Sequence, residues 1–75
     1  MPHIVVKLYP GRSEEQKMKL TDEIVASVAK ITDSEESIIS VGFDEIQPED
    51  WKTEVYDPDI AAKPDTLTKK PGYTL

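Results

Sequence analysis

The nineteen residues 13–31, SEEQKMKLTDEIVASVAKI, decide the fold. Ser13-Glu14-Glu15-Gln16 reads as a capping box. The serine hydroxyl can accept from the backbone N–H three residues on, and the Gln16 side chain can reach back to the serine N–H. Glu14 and Glu15 suit the positive end of a helix dipole. Leu20, Ile24, Val28 and Ile31 then recur at helical spacing, and Val25 and Ala29 widen the stripe. The pattern predicts one long amphipathic helix, from about Glu14 to about Ile31.

On its amino-terminal side, residues 3–9 read as a strand. Ile4, Val6 and Leu8 alternate with Val5, Lys7 and Tyr9, which makes both faces partly apolar. Such a strand is expected to be covered on both faces. Pro10-Gly11 ends it, because proline cannot continue the ladder and glycine tolerates a turn. On the carboxyl-terminal side, Thr32-Asp33-Ser34-Glu35-Glu36-Ser37 is a polar break, and Ile38 to Ile46 reads as a second strand. Ile39, Val41 and Phe43 share one face of it, while Ile38, Ser40, Gly42 and Asp44 share the other. Strand, long helix, strand is a β-α-β unit, which predicts parallel strands joined by a right-handed crossover. The expected class is α+β, with a sheet that oligomerisation completes.

The pattern weakens after Gln47-Pro48. Pro48-Glu49-Asp50-Trp51 suggests a helical turn with proline at its start. Glu54-Val55-Tyr56 suggests a short extended piece. Asp57-Pro58-Asp59 could open a short helix through Ile60 and Ala61, which Pro64 would end. Lys69-Lys70-Pro71-Gly72-Tyr73 reads as a turn-like tail. A single domain spanning residues 1–75 is expected, its last third packed on a neighbouring subunit.

A chain of 75 residues has little core of its own. Small domains add disulfides, a metal or a partner subunit. There is no cysteine and only one histidine, which argues against disulfides and a structural zinc site and leaves oligomerisation. The formal charge of −6 argues against sequence-independent nucleic-acid binding and against an anionic membrane surface. No apolar run approaches the roughly 20 residues of a membrane span, and no signal peptide is visible. A cytoplasmic homo-oligomer is the expectation.

Met1-Pro2 is the sharpest chemical feature. An initiator methionine before a small residue is usually removed, which would make the Pro2 ring nitrogen a free secondary amine. An α-amino group titrates near about 8, and burial or a nearby arginine lowers that value. A general base works best when its pKa lies near the operating pH. The plainer reading is that Pro2 only begins a strand. Arg12 could hold a carboxylate in bidentate fashion, or it could be a solvated turn residue. Trp51, a lone tryptophan, reads first as core or interface, and as a pocket wall it would exclude water and help keep the proline amine neutral. His3 follows Pro2 on the strand, so its side chain should face the other way, in a structural or interfacial role. Asp44 and Glu45 are adjacent on a strand and point apart.

Together these residues resemble the 4-oxalocrotonate tautomerase family. The match comprises Pro2 behind the methionine, Gly11-Arg12-Ser13-Glu14-Glu15-Gln16-Lys17 with its long helix, and the second strand ending Asp44-Glu45-Ile46. Pro2-His3-Ile4, Ile46-Gln47-Pro48-Glu49-Asp50-Trp51 and the Lys69–Tyr73 tail are similar to its small dimeric PptA-type branch. The resemblance implies a cofactor-independent isomerase, a dimer, that interconverts enol and keto forms of 2-oxo acids such as phenylpyruvate. It implies Pro2 as general base, Arg12 as the carboxylate anchor and Trp51 as the aromatic wall. No metal, nucleotide or flavin is required. The founding tautomerase has a second arginine where this chain has Ser40, which could offer a weaker hydrogen bond or, as a strand serine, simply fill the pleat. A monocarboxylate with an aromatic or short tail therefore suits the site better than a dicarboxylate. Two other classes stay open. One is a hydratase or dehalogenase that uses a protonated Pro2 as general acid. The other is a non-catalytic oligomeric binding module in which Pro2 only packs.

Overall fold

Strand β1, His3–Leu8, forms from the alternating run. In the computed structural model, which describes all residues from Met1 to Leu75, its exposure alternates as its sequence does. Ile4, Val6 and Leu8 are half-buried, and His3, Val5 and Lys7 are exposed. Coverage of both faces is therefore not met within the protomer, where Val5 remains 48% exposed. Gly11 carries the turn after the strand with φ +127°, a conformation that L side chains rarely adopt.

Helix α1 spans Glu14–Thr32. Its capping box is complete, with Gln16 N–H donating to Ser13 Oγ at 3.1 Å and Ser13 N–H donating to Gln16 Oε1 at 2.8 Å. At the far end Asp33 takes the left-handed conformation (φ 56°, ψ 48°) and its N–H bonds the Ala29 carbonyl. A short polar side chain tolerates that geometry better than most. Lys17, Thr21, Ile24, Val25, Val28 and Ala29 are half-buried. Leu20 and Ile31 lie on one flank of that stripe and stay exposed, Ile31 at 81%. No residue of the helix is fully buried.

The second strand is shorter than expected. Residues 36–38 close a 3-10 turn instead, and β2 spans Ser40–Glu45. It pairs with β1 in parallel, from His3 opposite Ser40 to Leu8 opposite Glu45. The register sets Ile4 beside Val41 and Val6 beside Phe43 on the half-buried face, and α1 packs against β2. His3 with Ser40, Val5 with Gly42 and Lys7 with Asp44 make the other face. Both outer edges of this two-stranded sheet are unpaired within the chain.

These elements form one compact unit, Met1–Glu45, and residues Ile46–Leu75 form a second. The second unit begins with a 3-10 turn at Pro48–Asp50, as its leading proline favours. Residues Lys52–Ala61 then form a π-helix, in which the Ala62 N–H reaches back to the Asp57 carbonyl at 3.0 Å. Two expectations are corrected here. Glu54-Val55-Tyr56 is helical rather than extended, and Asp57-Pro58-Asp59 lies inside the helix rather than opening one. Pro58 supplies no N–H to a ladder, and wide i→i+5 turns occur where a regular helix is interrupted. Val55, the β-branched residue behind the extended reading, is instead one of two buried residues, with Ile46 the other. Another 3-10 turn, Pro64–Thr66, leads into the tail. No helix is long and apolar enough to cross a membrane.

Candidate active site

Pro2 stands immediately before β1 and is half-buried, continuing the alternation of Ile4, Val6 and Leu8. Its carbonyl accepts a hydrogen bond from the Ser40 N–H at 3.2 Å. Met1 is fully exposed, so no burial within the chain shields it. While Met1 remains, the Pro2 nitrogen is a tertiary amide and cannot accept a proton.

Ser40 also bonds the next residue. Its Oγ lies 2.6 Å from His3 Nδ1. The hydroxyl donates if Nδ1 is bare and accepts if Nδ1 carries the proton. Ser40 thus grips the amino end twice, through its amide at Pro2 and its hydroxyl at His3. Sequence reading placed His3 on the face away from Pro2, and there it stands. Its partnership with Ser40 was not legible, because 37 positions separate the two residues.

Arg12 occupies the opposite end of the strand. It is exposed, between Gly11 and the helix cap Ser13, with no carboxylate partner. Lys17, one turn into α1, contrasts with it. Its Nζ lies 2.9 Å from Glu14 and 3.4 Å from Glu45. The Glu14 hydrogen bond, aided by the two carboxylate charges, holds the Lys17 ammonium above its usual pKa of 10.5. Lys17 is therefore committed to the fold, and Arg12 is the cation available at this end.

Pro2 and Arg12 do not meet within one protomer. The six residues of β1 separate them, about 20 Å at roughly 3.3 Å per residue. No side chain spans that gap. A site that uses both residues needs Arg12 from another copy of the chain.

Trp51 belongs to the second unit, just after the Pro48–Asp50 turn, and is half-buried. Its indole Nε1–H donates to the Tyr73 hydroxyl at 2.9 Å. The Tyr73 ring in turn packs on Tyr56, with centroids 5.7 Å apart and planes tilted by 38°. The tail is thereby fastened to the π-helix, and the orientation of the indole is set by a tyrosine 22 positions later. Trp51 alone was a candidate in the sequence. Tyr56 and Tyr73 are part of its setting, and no spacing rule would have singled them out.

Residues 2–56 match the model of a family described as tautomerase enzyme. Tautomerase PptA of Pectobacterium atrosepticum is 51% identical over 75 residues, covering 99% of each chain. Tautomerase PptA of Cronobacter sakazakii is 47% identical over 76 residues, covering the whole of both. Among solved structures, YwhB, a homologue of 4-oxalocrotonate tautomerase, aligns with a TM-score of 0.60 at 33% identity. That alignment covers 61% of this chain and 75% of YwhB.

Proposed function

From the premise that this chain belongs to the tautomerase family, we propose that Pro2, freed of Met1, is the general base of an enol–keto isomerisation of arylpyruvates. The enzyme is an isomerase of the cofactor-independent tautomerase kind. The observation that carries the assignment to Pro2 is its placement: half-buried, tied at its carbonyl to Ser40, behind a fully exposed methionine. Removal of Met1 leaves a secondary amine on a fixed strand.

In the ketonising direction the Pro2 nitrogen takes the proton from the enol hydroxyl and returns a proton to C3. In the reverse direction it takes the proton from C3 and delivers one to the oxygen. Each cycle moves a proton between oxygen and carbon and leaves the amine as it began. Arg12 binds the substrate carboxylate in fork geometry and spreads the enolate charge. The length of β1 means that this arginine comes from a second copy of the chain. Trp51, whose indole is held by Tyr73, takes the aromatic-wall role that the family resemblance implies. With Ser40 where the founding tautomerase has a second arginine, no cation awaits the far end of a dicarboxylate, so a monocarboxylate with an aryl tail fits better.

Both compact units serve as one tautomerase domain in this reading. The family match runs across their boundary, and the PptA relatives align along the whole chain. A homodimer follows the same logic: the sheet has open edges, Val5 is exposed, and the arginine must arrive from elsewhere. A cytoplasmic setting is part of the proposal.

The test is ketonisation of enol-phenylpyruvate across pH, on protein whose mass shows Met1 removed. Activity should rise through one ionisation below about 8. It should be largely lost in Pro2→Ala, and absent from protein that retains Met1. Equal rates for the three proteins would remove Pro2 from the chemistry. Activity that falls as pH rises would instead favour a protonated Pro2 acting as general acid on a hydratase or dehalogenase substrate.

A further inference from the structure

We propose that Ser40 is a positioning residue for Pro2, acting through His3, and not a contact to substrate. The inference rests on Pro2 being the base. Its starting point is a torsion. The proline ring locks the nitrogen against its own Cα, so once Met1 is gone only the Pro2 ψ angle sets the direction of the ring nitrogen relative to the strand. The peptide plane that begins with the Pro2 carbonyl is rigid, so fixing that plane fixes the nitrogen.

Ser40 fixes it from both sides. Its N–H holds the Pro2 carbonyl at 3.2 Å, and its Oγ holds the His3 ring at 2.6 Å on the same rung of the parallel pair. The two bonds straddle the Pro2–His3 peptide. An amino terminus otherwise frays, since it has few neighbours to hold it. The backbone bond alone is the outermost in the ladder and the first to open. The side-chain bond locks the next residue and holds that outer rung closed.

Facing direction separates this role from substrate binding. Pro2 shares its side of the strand with Ile4 and Val6, the half-buried face. His3 and Ser40 lie on the opposite, exposed face. The hydroxyl therefore grips the strand from behind and leaves the side that carries the ring unobstructed.

The experiment measures kcat and KM for enol-phenylpyruvate on Met1-free Ser40→Ala, His3→Ala, the double variant and Ser40→Thr. Both positions are exposed in the protomer, so its fold should persist, and analytical ultracentrifugation of each variant checks that assembly is unchanged. Both single variants should lose about tenfold in kcat, less than the roughly 10²-fold cost of a 1 Å misplacement, with KM within about twofold. The double variant should be no worse than either single, since one bond is lost in each case. Ser40→Thr, which keeps the hydroxyl on a β-favouring side chain, should recover wild-type kcat. In parallel, ¹⁵N relaxation of the His3 amide should show greater mobility in Ser40→Ala and not in Ser40→Thr. A raised KM with unchanged kcat would overturn the proposal in favour of substrate contact. Losses that multiply in the double variant, or an unchanged His3 amide, would overturn it as well. Full activity in Pro2→Ala would remove the base assignment itself, and a mobile His3 amide would still register the clamp as a structural device.

Discussion

Replacing Ser13 by alanine should destabilise the protein and weaken carboxylate binding together, because the helix cap and Arg12 are adjacent. The Ser13 hydroxyl accepts from the Gln16 N–H at 3.1 Å, and alanine leaves that donor to water. Both residues are exposed, so water can replace the lost partner and the cost falls in the middle of the range for such caps, about 1 kcal/mol. The return bond, Ser13 N–H to Gln16 Oε1 at 2.8 Å, survives in Ser13→Ala and is lost in Gln16→Ala. An exposed bond of that kind contributes about 0.5 kcal/mol, the lower end for a hydrogen bond. In a chain of this size, 1 kcal/mol moves Tm by about 4–8 °C. Thermal unfolding at one fixed protomer concentration reads this directly, since assembly makes Tm depend on concentration. Ser13→Ala should fall by several degrees, Gln16→Ala by about half as much, and Ser13→Asn, which still caps, by little. A frayed first turn also leaves Arg12 less fixed, so KM for an enol carboxylate should rise in Ser13→Ala and return in Ser13→Asn. An unchanged Tm in Ser13→Ala, or an equal loss in Ser13→Asn, would refute the capping argument. A lower Tm with unchanged KM would refute the link to Arg12.

The pKa of Lys17 is raised on folding, so its contribution is fully present below the unfolded value of 10.5 and is lost as pH rises through the higher folded value. Urea unfolding of Lys17→Met should therefore differ from wild type at neutral pH, and the two curves should converge above that value. Arg12→Lys keeps a charge but loses the fork, and steady-state kinetics should show KM for the enol raised more than tenfold, with Arg12→Ala worse still. Tyr73→Phe removes the acceptor of the Trp51 N–H at 2.9 Å; fluorescence of the single tryptophan should shift, and KM should rise more for an aryl enol than for a short aliphatic one. Val5→Glu places a charge on the exposed sheet face, and analytical ultracentrifugation should find it monomeric and inactive if that face joins two copies.

The first unit was legible because each of its elements carries its own signal. Ser13 and Gln16 mark the helix start, and the alternation from Ile4 to Leu8 gives β1 almost to the residue. The crossover then leaves only parallel pairing. The stripe of α1 was read slightly off-centre, since Leu20 and Ile31 are helically spaced yet lie on the flank. Residues 52–61 were not legible for the opposite reason. Val55 and Tyr56 favour strands locally, and Pro58 ordinarily marks the outside of a helix, so local preference pointed away from the π-helix that forms. At the candidate site, Pro2, Arg12 and Trp51 were each visible by residue type and place in the chain, and Ser40 only through the family resemblance. Their spatial relations were not. The gap between Pro2 and Arg12 follows only once β1 has a direction and a length, and the His3–Ser40 bond only once the register is known.

That register also has a consequence in time. His3 pairs with a residue 37 positions further along, across the whole of α1. At about 5–20 residues per second of synthesis, the amino end therefore waits at least about 2–7 s for its partner strand to be made. During that interval Met1-Pro2 is loose chain, open to any aminopeptidase near the ribosome. Excision can thus precede strand pairing, and under the proposed mechanism the amine would be unmasked before anything aims it. The proposed base is thus among the first parts of the protein to be made and waits for the last strand to hold it in place.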